Sequence, residues 1–474
     1  MDPADLGAAE LTALFERGAL SPLEALDAAL ARIERLNPIL NAIVTLDAEG
    51  ARGAARASTE RWARRVPLSA LDGIPVTIKD SLFVKGLRAT WGSQLYADFV
   101  PERDELPVER IRALGAVILG KTNAPELTLQ GYTDNLIFGP TRNPWNPALT
   151  PGGSSGGAVV SVASGMAPLA LGTDGGGSIR RPASHTGLFG LKPTVGRIAR
   201  GGGFPAVMHD FEVVGPLGRN VEDVALAMSV LAGPDVRDPS SLRWAAWRPQ
   251  GVGASLRILY IPAFHGAPVD PEIAASVADA VAALGQLGHR VEVGALPFPL
   301  EKLARIFAVV PSAGVACLLR EQRLDARMLT PAIRASAEGG ATLSAADYVE
   351  ALTLADELKR CLSALFERHD AIVTPAAAAL PWPAEQSHPE TIDGKPVGPR
   401  GHAVFTAFAN ISGCPGIAVP CAPSRSGLPI GFQIVGAWGS DETLVALAQA
   451  YARLQPHYAR RPPLVSSARS EQVA

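Results

Sequence analysis

Glycine is not spread evenly along this chain. Of its 47 glycines, fifteen fall between Gly152 and Gly203, about a third of them in about a ninth of the 474 residues. They gather around two blocks, Pro151-Gly152-Gly153-Ser154-Ser155-Gly156-Gly157 and Gly172-Thr173-Asp174-Gly175-Gly176-Gly177-Ser178-Ile179-Arg180. A flexible linker would read as an unbroken polar run. Here small apolar residues, 158–171, separate the blocks, and Asp174 and Arg180 bracket the second. Consecutive glycines let backbone N–H groups converge on one point. A serine closing such a run suits attack on a carbonyl, with the hydroxyl as nucleophile and the N–H groups as an oxyanion hole.

The rest of the chain says what kind of fold holds two such loops. Ser21-Pro22-Leu23-Glu24 is a helix start, with Ser as N-cap, Pro at the first position and Glu closing a capping box. Residues 54–65 read as a polar-faced helix. Gly73 to Asp80 then alternates, with Ile74, Val76 and Ile78 on one side and Thr77 and Lys79 on the other, which predicts a short strand ending at a lysine. A helix over 108–114, a buried strand over 116–119 and a helical piece over 122–130 follow. Beyond 221, helix (221–232), strand (257–261), helix (271–287) and strand (290–294) alternate. Residues 300–368 are mainly helical and lead to a strand at 371–374. Strands at 416–420 and 431–435 and a final helix close the chain. Such alternation predicts an α/β protein. Length alone argues for about three domains; the absence of a linker-like segment lowers that number.

Composition narrows the class. A net charge of −3 gives no pull toward nucleic acid or anionic membrane. No apolar run reaches the ~18 residues of a membrane span. The four cysteines form no CxxC pair, and the eight histidines show no metal spacing. The acidic N-terminus lacks the basic and apolar regions of a signal peptide. The expectation is a soluble, cytoplasmic protein without metal or cofactor, a monomer or homodimer.

Two familiar patterns fail on context. Gly115 to Thr122 matches the P-loop spelling, but its interior, Ala116-Val117-Ile118-Leu119, is strand-like, and amides paired in a sheet cannot cradle phosphate. Gly152-Gly153-Ser154-Ser155-Gly156 spells a nucleophile elbow, but the four prolines of 139–151 preclude the preceding strand. His402 or His457 would be the histidine of such a site; nothing local marks either. A serine hydroxyl still needs a base. Of the seven lysines, Lys79 is the best placed, because a lysine becomes a base only when burial lowers its pKa and Lys79 ends an apolar strand. By itself a strand-end lysine reads more readily as a snorkelled surface charge.

At this point the chain resembles the amidase signature family. The likeness rests on Gly73 to Asp80, Gly120-Lys121-Thr122-Asn123, Phe138-Gly139, Asn143-Pro144-Trp145-Asn146, both Gly/Ser blocks and Lys192-Pro193-Thr194. It reappears in Gly413-Cys414-Pro415-Gly416 and Gly427 to Gln433, and is weakest over 240–400. The resemblance, with motifs from Lys79 to Gln433, implies a single domain over 1–474, an α/β/α sandwich with a large mixed, mostly parallel central sheet, with N-terminal helices over 1–66 and a variable cap over about 300–400. It implies a Ser–cis-Ser–Lys triad: Lys79 as base, Ser154 as bridging serine after a cis Gly153–Ser154 peptide, and Ser178 as nucleophile. Gly175, Gly176 and Gly177 match the oxyanion-hole backbone, and Ser155, Asp174 and Arg180 match loop-supporting residues. Gly175 stands where the family often has a larger residue, which suggests a looser loop or a wider pocket. Thr128, Leu129 and Gln130 fall where the family lines its acyl pocket. The activity implied is hydrolysis of small aryl or alkyl amides, with carbamates (urethanes) as plausible substrates. The alternatives are the A subunit of the glutamyl-tRNA amidotransferase and a non-catalytic binding scaffold. The former usually carries Met-Asp-Glu-Phe where this chain has Ala124-Pro125-Glu126-Leu127.

Overall fold

The computed structural model describes residues 2–253 and 255–465. Eleven strands form one sheet: β1 (Ile43–Leu46), β2 (Pro75–Lys79), β3 (Val117–Thr122), β4 (Leu169–Asp174), β5 (Phe189–Lys192), β6 (Val213–Gly218), β7 (Arg257–Tyr260), β8 (Arg290–Val293), β9 (Ala371–Pro375), β12 (Gly416–Cys421) and β13 (Ile430–Gly436). The remaining two, β10 (Thr391–Ile392) and β11 (Lys395–Pro396), make a small separate ribbon. The spatial order is β1-β3-β2-β4-β6-β5-β12-β13-β9-β7-β8. The sheet is mixed, as expected, but its parallel pairs stand in two blocks, β3-β2-β4 and β9-β7-β8. The other six neighbouring pairs are antiparallel. The parallel share is smaller than helix–strand alternation suggests, because β5/β6 and β12/β13 follow one another without a crossover helix.

Thirteen helices accompany the sheet: α1 (Ala8–Glu16), α2 (Pro22–Leu40), α3 (Ala48–Ala63), α4 (Leu106–Ala113), α5 (Gly156–Ala163), α6 (Arg180–Thr186), α7 (Val221–Leu231), α8 (Pro271–Gln286), α9 (Leu300–Gln322), α10 (Pro331–Ala341), α11 (Ala345–Phe366), α12 (Ala407–Ser412) and α13 (Asp441–Leu454). The capping box at Ser21 is present, Glu24 N donating to Ser21 Oγ and Ser21 N to Glu24 Oε2. Strand pleating explains the three layers. On one face Leu169, Leu171, Val373 and Phe432 pack with residues of α1, α7, α8 and α13. On the other, Ala170 and Leu119 pack with α2, α3 and α5, and Leu259, Ile372 and Val435 with α9 to α12.

The helix α9 is long and apolar enough, by composition, to cross a membrane. Here Leu303, Ile306, Phe307, Val310, Val315 and Leu318 are buried in one cluster with residues of α10 and α11.

Residues 122–130 are not helical as the pattern suggests. The strand β3 runs on through Lys121 to Thr122, and the 3-10 turn Glu126–Thr128 contains two left-handed residues, Leu127 (φ 49°) and Thr128 (φ 59°). The cause is side-chain bonding. The Glu126 carboxylate accepts from Ser93 Oγ at 2.7 Å and from Thr330 N at 2.7 Å and Oγ1 at 2.5 Å, which fixes the turn against the start of α10.

Candidate active site

The strands β2 and β4 lie side by side and parallel, so their C-terminal ends carry Lys79 and Asp174 to the same edge of the sheet. Lys79 has no exposed surface. Its Nζ donates to Ser154 Oγ at 2.7 Å and Thr173 Oγ1 at 2.8 Å, with Thr173 O at 3.4 Å. Burial lowers its pKa to about 7; Glu212 and Asp174 oppose that shift without either touching the ammonium. Ser154 sits in the first glycine block, after a cis Gly153–Ser154 peptide, and is itself buried. Gly153 has no room for a side chain, since a Cβ would stand 2.5 Å from Tyr132 O.

The second block is wound around Asp174. Its carboxylate accepts from Gly177 N at 2.6 Å and Ile179 N at 3.1 Å, and is gripped by Arg180 through Nε–Oδ2 and Nη2–Oδ1, both 3.0 Å. Burial would raise its pKa, but Arg180 and Asn410 outweigh that and hold it below the usual range. Arg180 in turn donates to Thr406 O, Gln433 Oε1 and Asn410 Oδ1. Gly177 has φ 109°, and a Cβ there would lie 2.2 Å from Thr406 Oγ1. The blocks meet where Ser155 N donates to Ser178 O at 3.1 Å and Ser155 Oγ to Thr173 O at 3.1 Å.

This geometry divides the glycine run. The N–H of Gly177 is committed to Asp174, so it does not serve as an oxyanion donor in this arrangement. Those of Gly175, Gly176 and Ser178 donate to no group among the described residues. Gly175 does not widen the pocket either, because the Met208 thioether fills that space, 2.7 Å from where a Cβ would be.

Of the three proposed triad residues, Ser178 is the one that reaches a cavity of about 230 Å3. Thr128, Leu129 and Gln130 form one wall, Phe307, Pro311 and Ser312 of α9 and Ile333 and Ser336 of α10 another, and Arg181, Arg400 and His402 the polar side. No carboxylate among the described residues lines it. His402 is buried against Trp382, ring centroids 4.6 Å apart; burial, then the Arg181 charge, push its pKa well down and keep it neutral. The sequence reading missed Asn410 and Thr406, which support the site, and Arg181, Arg400, Phe307 and Met208, which line the cavity; Thr173 stood in the second glycine block without a role. Gln433 stood inside a quoted motif but without a role.

The P-loop spelling lies mostly in the paired strand β3, and no strand runs directly into the Gly152–Gly156 segment, which leads into α5. The Amidase family profile matches residues 24–445. Among curated proteins, the chain is 35% identical to the A subunit of the glutamyl-tRNA(Gln) amidotransferase of Symbiobacterium thermophilum, over 97% of this chain and 99% of that one. To its Myxococcus xanthus counterpart it is 33% identical, over 98% and 100%. Among solved structures it is similar to a bacterial aryl acylamidase of the amidase signature enzymes, at 30% identity and a TM-score of 0.89, over 96% of this chain and 99% of that one. It is also similar to 6-aminohexanoate cyclic dimer hydrolase complexed with substrate, at 28% and 0.85, over 98% and 99%. A profile match over most of the sequence and close structural likeness from end to end lead to one conclusion: the chain belongs to the amidase family and is an amidase signature hydrolase of amide carbon–nitrogen bonds.

Proposed function

We propose that this enzyme hydrolyses small amides, and carbamates of similar size, through an acyl-enzyme on Ser178. The observation that carries the reading is a dry lysine, with a pKa near 7, bonded to a serine next to the nucleophile loop. Neutral Lys79 accepts the proton of Ser154, Ser154 accepts that of Ser178, and the Ser178 oxygen forms the new bond to the carbonyl carbon. The oxyanion is met by the free N–H groups of Gly175, Gly176 and Ser178. The relay then returns its proton to the leaving nitrogen as the C–N bond breaks. Water attacks the ester by the same route and releases the acid.

The curated relatives favour a second reading, a glutaminase that works as the A subunit of a glutamyl-tRNA amidotransferase. Two observations weigh against it. The residues after Asn123 are Ala124-Pro125-Glu126-Leu127 rather than the sequence usual in that protein, and among the described residues the cavity offers no carboxylate to the α-ammonium of glutamine. The test is a panel of aryl amides, aliphatic amides, carbamates and glutamine with wild type and Ser178→Ala. Turnover of the first three classes that disappears in Ser178→Ala supports the proposal. Turnover of glutamine alone, or activity that survives in Ser178→Ala, overturns it.

A further inference from the structure

Arg181 is a buried cation that no carboxylate touches among the described residues; Asp174 acts on it only from a distance. The chain's other deeply buried arginines are answered by the protein: Arg180 by Asp174, Arg197 by Glu442, Arg32 by Asp2 and Asp5. Arg219, which pairs with no carboxylate among the described residues, is held by the carbonyls of Val162, Ala167 and Leu6. Arg181 is only 4% exposed. Among the described residues no carboxylate pairs with it, its Nη2 reaches Gly153 O only at 3.4 Å, and its Nε has no partner. Burial, and then the charge of Arg400, lower its pKa to about 9, which leaves it charged at neutral pH.

Its position gives this meaning. Arg181 is the second residue of α6, three residues after Ser178, and lines the same cavity. A second cation, Arg400, stands at that cavity with its guanidinium 4.2 Å from the centroid of the Phe307 ring. The remaining titratable wall group, His402, is neutral. An unpaired buried charge costs several kcal/mol. A guanidinium presents a planar fork that matches a carboxylate in two-point contact. A neutral amide entering the cavity would leave this charge unanswered, whereas an anionic one would complete it.

We propose that the substrate is an amide or carbamate carrying a carboxylate a short distance from the scissile carbonyl, and that Arg181 is the specificity-determining residue that receives it. This rests on the amidase reading of Ser178, and its test is chosen to be independent of turnover. The Ser178→Ala enzyme is titrated calorimetrically with malonamate, succinamate and glutaramate, and with the neutral propionamide, butyramide and valeramide. At least one anionic amide should bind about 30-fold more tightly than its neutral counterpart, as expected for a buried charge pair. Adding Arg181→Gln should remove that difference, and Arg181→Lys should restore part of it. In the active enzyme, the ratio of kcat/KM for the preferred anionic amide to that for its counterpart should fall about 30-fold in Arg181→Gln. Equal affinities for all three pairs, or a preference that survives Arg181→Gln in a protein with wild-type circular dichroism, overturns the proposal. Activity retained in Ser178→Ala would instead overturn the amidase reading of that serine.

Discussion

Lys79, the proposed base, is dry. Its three hydrogen-bond partners are two hydroxyls and one carbonyl, none of which stabilises the ammonium as a carboxylate would. Desolvation therefore dominates and brings the pKa to about 7. In the proposed relay neutral lysine is the working form, so kcat/KM should fall as pH drops below about 7, approaching tenfold per unit. A pH–rate profile on a neutral amide checks this; a rate constant flat from pH 7 to 4 would exclude a neutral lysine base. At this scale the sequence was informative where chemistry dictates residue type. Lys79 ends an apolar strand, and a serine closes the glycine run. It was silent on Arg181, because nothing in a linear pattern shows that the neighbouring Arg180 takes Asp174 and leaves Arg181 unpaired.

The elements make the loop what it is. Gly175 and Gly177 look alike in sequence and differ in structure. At Gly177 a side chain meets both a left-handed φ of 109° and Thr406 Oγ1 at 2.2 Å. At Gly175 the obstacle is the flexible thioether of Met208. Gly177→Ala should therefore lower stability by about 1–3 kcal/mol or more and abolish activity, while Gly175→Ala should cost under about 1.5 kcal/mol; urea unfolding of both variants measures the difference. Regular elements with a clear period, such as α2, β2 and α8, lie within a few residues of their expected bounds. Elements were missed where composition hid them. The strand β6 contains Gly215 and Pro216, and β1 is a four-residue edge strand between two helices. Residues 122–130 were misread because Glu126 bonds across the molecule to Thr330, which no local pattern reveals.

On the scale of the whole molecule, one sheet takes strands from both ends of the chain, and α9 and α10, of the expected cap, line the cavity that Ser178 reaches. Glu126 ties the Thr128–Gln130 wall to that cap. Removing hydrogen bonds to a charged group costs about 1.5–3 kcal/mol. Glu126→Ala should therefore loosen the wall and raise KM about tenfold with little change in kcat, measured by steady-state kinetics. The central claim, that Lys79 and Ser154 activate Ser178, is tested most directly by reacting the enzyme with a fluorophosphonate across pH and mapping the adduct by mass spectrometry. The account predicts one adduct, on Ser178, formed at a rate that falls below about pH 7 and absent from Ser178→Ala and Lys79→Met. An adduct on another residue, or undiminished labelling in Lys79→Met, would contradict it.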